Sequence, residues 1–150
     1  MTRWIAAAMA LFALTVLSPR PVMAVATAAD ATQVQDVRDV PRISIDDVKT
    51  LMAKKQVLLI DVRDPMAFGE GHIPGAMNVP FDFLPDHAEA WKKDKRLLVT
   101  YCACVNEGTA ARAALDMNAF GVRNVKALLG GYNEWMKRGE KIVKGPPTRP

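Results

Sequence analysis

The sequence predicts an α/β fold in which a central parallel sheet is flanked by helices on both faces. Apolar, β-prone runs at 57–60 and 97–101 are continuous rather than alternating, as expected for strands buried on both faces of a parallel sheet. Strand-like segments also alternate with helix-forming segments along the chain, which is typical of βαβ units. The 150 residues contain no internal repeat, so we expect one modest domain with a single core.

The individual elements follow from local signals. Ser44 precedes the apolar positions Ile45 and Val48, and with Asp47 it makes a capping-box-like helix start. The other predicted elements are a strand over 57–60, a strand end at 78–80, a helix over 82–93 interrupted near Pro85, a strand over 97–101, a helix over 109–120, a strand over 125–129 and a helix over 132–137.

The N-terminus has the layout of a secretory signal peptide. Arg3 precedes an apolar run over 4–17, which a Pro-rich stretch breaks before the small-residue cleavage pattern that ends at Ala24. We therefore expect a signal peptide over 1–24 that is cleaved after Ala24, with the mature protein exported, in a bacterium to the periplasm; an uncleaved membrane anchor is the alternative. A flexible leader over 25–42, a domain over 43–139 and a disordered tail over 140–150 complete the predicted organisation.

The charge of the chain does not favour a nucleic-acid partner. The formal net charge is +4, and Arg3 and Arg20 of the predicted signal peptide account for two of these positive charges. No basic stripe remains in the rest of the sequence that would bind nucleic acid. We expect contact with a membrane only through the signal peptide.

The two cysteines of the chain, Cys102 and Cys104, follow the predicted strand over 97–101 and precede the helix that begins at Thr109. Unpaired amides and the dipole at a helix N-terminus stabilise a thiolate, so either cysteine is a candidate nucleophile. The alternative is a small buried hydrophobic residue. A bridge across one intervening residue would close a small, strained ring and hold nothing distant together, which disfavours a structural disulfide and favours a reactive or redox-labile pair.

Three further motifs occur together with the Tyr101-Cys102 strand end. They are Asp61-Val62-Arg63, the run Gly-His-Ile-Pro-Gly-Ala-Met-Asn-Val-Pro over 71–80, and Gly-Gly-Tyr-Asn-Glu-Trp over 130–135. In this order and spacing the segment from about 43 to 139 resembles the rhodanese (sulfurtransferase) domain. The resemblance implies a loop cysteine whose thiolate takes a sulfur atom from a small donor as a persulfide and passes it to a thiol or other nucleophilic acceptor. It implies no metal or organic cofactor.

The active loop that the resemblance implies starts at Cys102 and includes Cys104. Its other members are Ala103, Val105, Asn106, Glu107, Gly108 and Thr109. The Tyr-Cys pair points to Cys102 as the nucleophile, whereas the usual loop length counted back from the following helix points to Cys104, so both stay candidates. The loop has no Lys or Arg to receive a dianion, which puts thiosulfate in doubt as the donor. Glu107 is either a favourable partner of the helix dipole or a group that repels anionic donors.

Three residues outside the loop are expected to support it. Asp61 and Arg63 should form an ion pair that fixes the loop after their strand, and His72 should orient its turn through hydrogen bonds. Ala67 stands where many family members have Glu. A phosphatase of this fold would need Arg six residues after the cysteine, where this chain has Gly108 or Ala110, and the His and Cys spacings do not resemble a zinc site.

Three functions are consistent with these residues. The first is an exported sulfurtransferase that works through a persulfide on Cys102 or Cys104. The second is a periplasmic thiol–disulfide protein in which the same pair cycles between dithiol and disulfide. The third is a non-catalytic rhodanese-like module that binds a protein partner.

Overall fold

The structure is a computed structural model that describes residues 36–146. A five-stranded sheet forms its centre, and all neighbouring strands run parallel. In sheet order the strands are β1 (Arg42–Ile43), β5 (Val125–Leu128), β4 (Leu97–Tyr101), β2 (Val57–Asp61) and β3 (Met77–Asn78). The predicted parallel α/β architecture is therefore confirmed.

Helices cover both faces of this sheet. They are α1 (Ile45–Ala53), α2 (Pro65–Glu70), α3 (Leu84–Trp91), α4 (Gly108–Ala119) and α5 (Gly131–Lys137), with short 3-10 helices at Val37–Asp39, Phe81–Phe83 and Val105–Glu107. Because side chains alternate along each strand, Leu58 and Ile60 pack with α3 and α4, whereas Leu59 packs with α1, α2 and α5. In the part of the chain that the structure describes, no helix combines the length and the hydropathy that a membrane span requires.

Local capping signals set where two of the helices begin. Ser44 is the N-cap of α1, and its hydroxyl accepts the Asp47 amide at 3.1 Å, which confirms the predicted helix start. Helix α2 was not predicted, although Asp64 followed by Pro65 is a recognisable start signal: the Asp64 carboxylate accepts the Ala67 amide at 2.9 Å. Pro85 does not interrupt a helix as expected, because it lies in the first turn of α3, where proline is tolerated.

The folded domain reaches further at both ends than the predicted range of 43–139. On the N-terminal side Val40 is buried and β1 begins at Arg42, although both fall in the predicted flexible leader. On the C-terminal side Val143 exchanges two backbone hydrogen bonds with His72, and the Gly145 amide donates to the Gly69 carbonyl at 3.0 Å. Sequence alone could not show these pairings because their partners lie far along the chain. The predicted signal peptide lies outside the described residues.

The order of the strands determines where a site can form. β2 and β4 are neighbours, paired from Val57 with Leu97 to Asp61 with Tyr101. From β4 the chain continues to β5 on one side of the sheet, and from β2 it continues to β3 on the other side. The loops after β2 and β4 therefore diverge, and such a switch point at the carboxyl ends of parallel strands leaves an open crevice.

Candidate active site

A cleft of about 350 Å³ opens at this switch point. We call residues 62–64, after β2, the β2 loop, and residues 102–107, after β4, the β4 loop. The cleft is lined by both loops and the first turns of the helices that follow them: Val62, Arg63, Asp64, Ala67, Cys102, Ala103, Cys104 and Thr109. Both cysteines thus face a common space with the motif residue Arg63.

The β2 loop is fixed by an ion pair that the sequence predicted. Asp61 is fully buried, and its carboxylate accepts hydrogen bonds from Nε and Nη2 of Arg63 in a bidentate arrangement, at 2.9 Å and 2.5 Å. Arg63 also donates to the Gly71 carbonyl at 2.8 Å, and its guanidinium lies 4.0 Å from the ring centre of Tyr132. This cation therefore has its partners inside the protein.

Burial has opposite consequences for two groups beneath the cleft. For Arg63, burial works against the charged form, but the hydrogen bonds and the charge of Asp61 prevail and raise its pKa above the ordinary value. For Tyr101, burial together with the neighbouring Asp61 carboxylate raises the pKa of the phenol far above its ordinary value. The phenol stays protonated, and its oxygen accepts the Ile73 amide at 3.3 Å. Neither group supplies or removes a proton near neutral pH.

A disulfide joins Cys102 and Cys104. A structural bridge was not expected from the sequence, because only one residue separates the two cysteines. The loop nevertheless brings the two Cα atoms to 5.7 Å, inside the usual range for disulfides. The bridge still ties no distant parts of the chain together, so it fits the expected redox-labile pair better than a structural staple.

The two sulfurs have different surroundings. Cys102, directly after β4, is buried with 3% of its surface exposed, and it belongs to the core cluster under α3 and α4. Cys104 is partly exposed, and its Sγ accepts the amide of Thr109 at 3.3 Å. Thr109 is the second residue of α4, whose first-turn amides have no partner within the helix. Cys102 thus lies at the floor of the cleft and Cys104 at its rim, below the N-terminus of α4.

The turn 130–133, which consists of Gly130 and the first three residues of α5, holds the β4 loop in place. The Tyr132 amide donates to the Cys102 carbonyl at 2.8 Å, and Nδ2 of Asn133 donates to the Ala103 carbonyl at 2.7 Å. Gly131 has φ +53°, and a Cβ atom there would lie 2.3 Å from the Cys102 carbonyl oxygen. The position therefore requires glycine for its conformation and for its closeness to the loop.

Glu107 makes a contact that the sequence did not predict. Its carboxylate accepts the Gly130 amide at 2.6 Å and makes no capping hydrogen bond with α4. Asn106 and Glu107 both have left-handed backbone conformations, with φ of 59° and 52°. Since this conformation is unfavourable for residues with a Cβ atom, the contact with Gly130 holds the loop in a turn that it would not adopt by itself.

The other predicted loop residues lie on the open side of the cleft. Val105 is 84% exposed, Ala103 and Asn106 are exposed, and Gly108 and Thr109 begin α4. Arg112 of α4 pairs with Asp116 at 2.8 Å on the surface of the helix. Among the described residues, no group of His, Cys, Asp and Glu is arranged to hold a metal ion.

His72 stands apart from the cleft. Its Nδ1 lies 2.9 Å from the Phe68 carbonyl, its ring stacks on Phe68, and its backbone pairs with Val143. These contacts fix the turn that follows α2, as the sequence predicts for this histidine. Ala67, at the position where many family members have Glu, lines the cleft with a methyl group and no charge.

Fold and cleft together define a class of protein: single parallel α/β domains that carry a cysteine on a loop at the topological switch point, next to the N-terminus of a helix. A search with family profiles identifies the family within this class. The profile described as "Rhodanese-like domain" matches residues 44–138, well over half of the chain. The chain therefore belongs to the rhodanese-like domain family.

The chain is also similar to named relatives and to solved structures, one of them named as a sulfurtransferase. The chain is 30% identical over 94 residues to thiosulfate sulfurtransferase GlpE of Tolumonas auensis, covering 63% of this chain and 86% of that protein. It is 35% identical over 123 residues to the HTH-type transcriptional regulator Rv0324 of Mycobacterium tuberculosis, covering 79% of this chain but only about half (52%) of that protein. The crystal structure of the BH2092 protein from Bacillus halodurans superimposes with a TM-score of 0.60 at 28% identity, covering 70% of this chain and 77% of that one.

Proposed function

We propose that the protein is a sulfurtransferase that carries sulfane sulfur as a persulfide on Cys102 of the β4 loop. The observation that carries this proposal is the position of Cys102 at the floor of the cleft, directly after β4 and 3% exposed. A persulfide formed there is shielded from bulk solvent yet open to a donor or acceptor in the cleft. The family and the relatives named as sulfurtransferases support the same chemistry.

The transfer takes two displacement steps. The Cys102 thiolate attacks the outer sulfur of the donor, so that a new S–S bond forms while the donor's own S–S bond breaks and its leaving group departs with the electron pair. An acceptor thiolate then attacks the outer sulfur of the persulfide and regenerates the Cys102 thiolate. The turn 130–133 holds the backbone of the loop for these steps, and the N-terminus of α4, whose Thr109 amide contacts Sγ of Cys104, adds a positive field at the cleft.

We propose donors of low charge, such as organic persulfides, in preference to thiosulfate. Among the described residues that line the cleft, Arg63 is the one cation, and it is already bound to Asp61 and to the Gly71 carbonyl. Asp64 contributes a carboxylate to the same lining. A dianion entering this cleft would lose hydration without gaining an unengaged cation.

The test is intact mass spectrometry of the reduced protein after exposure to cysteamine persulfide, which has almost no net charge, or, separately, to thiosulfate. We expect Cys104→Ala to gain one sulfur atom, more rapidly from the persulfide, and Cys102→Ala to gain none. A protein that gains no sulfur from either donor while both thiols remain alkylatable would refute the transferase function.

A second candidate function is favoured by the disulfide. A pair that forms a bridge within one short loop can act in thiol–disulfide exchange. Redox titration with dithiothreitol buffers measures this directly. A single two-electron transition that disappears in Cys104→Ser would support the exchange function, and the absence of a transition between dithiol and disulfide would exclude it.

We also propose that the chain is exported, on the basis of the signal-peptide layout of residues 1–24. An oxidising compartment is also where a bridged pair of this kind would persist. Expression of the full chain in a bacterium, followed by fractionation and N-terminal sequencing, tests the proposal. A periplasmic product that begins at Val25 is expected, and an unprocessed cytoplasmic chain would contradict it.

A further inference from the structure

The cleft holds one more reactive group than sulfur transfer requires. A persulfide carrier needs a single cysteine, yet Cys104 lines the same cleft as Cys102 and lies within bonding reach of it. The two sulfurs are also unequal, since Cys102 is buried at the floor whereas Cys104 is partly exposed at the rim. Cys104 therefore lies where it could react with a sulfur atom that Cys102 carries.

The loop keeps the two cysteines together without help from the bridge. Three hydrogen bonds from the turn 130–133 hold its backbone: from the Tyr132 amide to Cys102, from Asn133 to Ala103, and from the Gly130 amide to Glu107. None of these bonds involves a sulfur atom. Opening of the disulfide therefore leaves the Cα atoms of Cys102 and Cys104 near their separation of 5.7 Å.

The surroundings of Cys104 favour its thiolate. The Thr109 amide donates to its Sγ at 3.3 Å, and this amide lies in the first turn of the 12-residue helix α4. A backbone N–H donor and the positive end of a helix dipole both stabilise a negative sulfur. Cys104 thus has the properties of an attacking thiolate placed beside the sulfur that receives the persulfide.

We propose that Cys104 is a resolving catalytic residue that releases the sulfur of Cys102 as sulfide. In this step the Cys104 thiolate attacks Sγ of Cys102 in the protonated persulfide, and the bond between Sγ and the outer S–H sulfur breaks. The outer sulfur leaves as hydrosulfide with the electron pair of that bond, and the Cys102–Cys104 disulfide forms. The outer sulfur is reduced and the two cysteines together are oxidised by two electrons. This inference rests on the proposed persulfide at Cys102.

The cycle requires a reductant, which we assign to the class of dithiols. An external dithiol attacks the disulfide, forms a mixed disulfide and then closes its own ring, so that both cysteines return as thiols. The partly exposed Cys104 sulfur is the accessible point of attack. The net reaction converts the donor's sulfane sulfur to sulfide at the expense of one dithiol. The protein thereby becomes a sulfide-releasing enzyme rather than a simple sulfur carrier.

The test is a single-turnover experiment on the full-length reduced protein, freed of reductant and mixed with one equivalent of glutathione persulfide. We expect the native protein to release about one equivalent of sulfide per chain and to lose both titratable thiols. Cys104→Ser should instead keep the added sulfur on Cys102, with sulfide release slowed about tenfold or more. Dithiothreitol added afterwards should release the sulfide from Cys104→Ser, which shows that the variant was folded and loaded.

The outcomes separate this inference from the function on which it rests. If native protein and Cys104→Ser both keep a stable persulfide, the transferase function stands and the resolving role is refuted. If neither protein takes up sulfur, the proposed function fails before resolution is reached. If Cys102→Ser holds the persulfide and Cys104→Ser does not, the roles of the two cysteines are the reverse of those assigned here.

Discussion

The β2 loop and the β4 loop, which form the cleft, are held by different kinds of contact. The β2 loop is fixed by a charged side-chain pair, Asp61 and Arg63, only two residues apart. The β4 loop contains no such pair and is held mainly by hydrogen bonds from the turn 130–133, which lies about 30 residues further along the chain. One wall of the cleft therefore combines a local ion pair with hydrogen bonds from Asn78 to the Asp61 and Arg63 carbonyls, whereas the reactive wall has no ion pair and depends on a distant turn. Substitutions should affect the two walls differently.

The largest effect is expected at the β2 loop. Arg63→Ala leaves the fully buried Asp61 carboxylate without its cation, and breaking a buried pair in this way costs about 3–5 kcal/mol of unfolding free energy. Urea denaturation measures the loss. Arg138→Ala is the matched control, because its ion pairs with Glu134 and Asp46 lie on the surface, where solvent screening leaves them little effect on stability. Equal losses in the two variants would contradict the structural importance of the buried pair.

Gly131→Ala should produce the next largest effect, and it tests the β4 loop. The new Cβ atom would lie 2.3 Å from the Cys102 carbonyl oxygen, so the loop must move. We expect a loss of about 2 kcal/mol or more, together with slower uptake of sulfur. Gly139→Ala is the control, since its φ of +70° imposes similar strain while a Cβ atom there would meet nothing within 4 Å. It should cost about 1 kcal/mol and leave sulfur uptake unchanged.

The contacts tested by Arg63→Ala and Gly131→Ala also differ in whether the sequence could predict them. The Asp61–Arg63 pair was predictable because both residues belong to one short motif. The strand Leu97–Tyr101 was predictable to the residue, because its apolar run is continuous. The partner of Glu107 was not predictable, since a carboxylate beside a helix start fits a dipole contact equally well and Gly130 is 23 residues away.

The shortest strands show the same limit. β1 and β3 contain two residues each, too few to display a period, and they exist because neighbouring strands supply their hydrogen bonds. The bridge between Cys102 and Cys104 was also beyond the sequence, because spacing alone does not give the distance between Cα atoms. In contrast, α2 could have been found from Asp64-Pro65.

Reduction of the disulfide should have a moderate effect. The bridge spans a loop of only three residues, so chain entropy limits its contribution to about 1.5 kcal/mol. We expect thermal unfolding of the reduced protein to begin at slightly lower temperature while the fold is retained. The Cys104→Ser variant should unfold at the same temperature with and without reductant. A collapse of the fold on reduction would show that the bridge, not the turn 130–133, holds the β4 loop.

The smallest effect is expected from Glu107→Ala. It removes one hydrogen bond to the Gly130 amide, which is worth about 1 kcal/mol. Hydrogen exchange should become faster at Gly130, and the loop should become less ordered. Glu107→Gln keeps an acceptor oxygen and should retain most of the protection. Unchanged exchange in Glu107→Ala would mean that this amide owes its protection to the surrounding turn.

The short outer strands of the sheet have a consequence for behaviour at high concentration. Both edges, β1 and β3, expose only two residues of backbone each, and the chain turns away at Pro80 shortly after β3. A long unpaired edge would be a template on which a second molecule could add its own strand. Here the longer strands β2, β4 and β5 lie between these short edge strands, and β1 itself carries the charged Arg42, so we expect the folded domain to resist edge-to-edge aggregation.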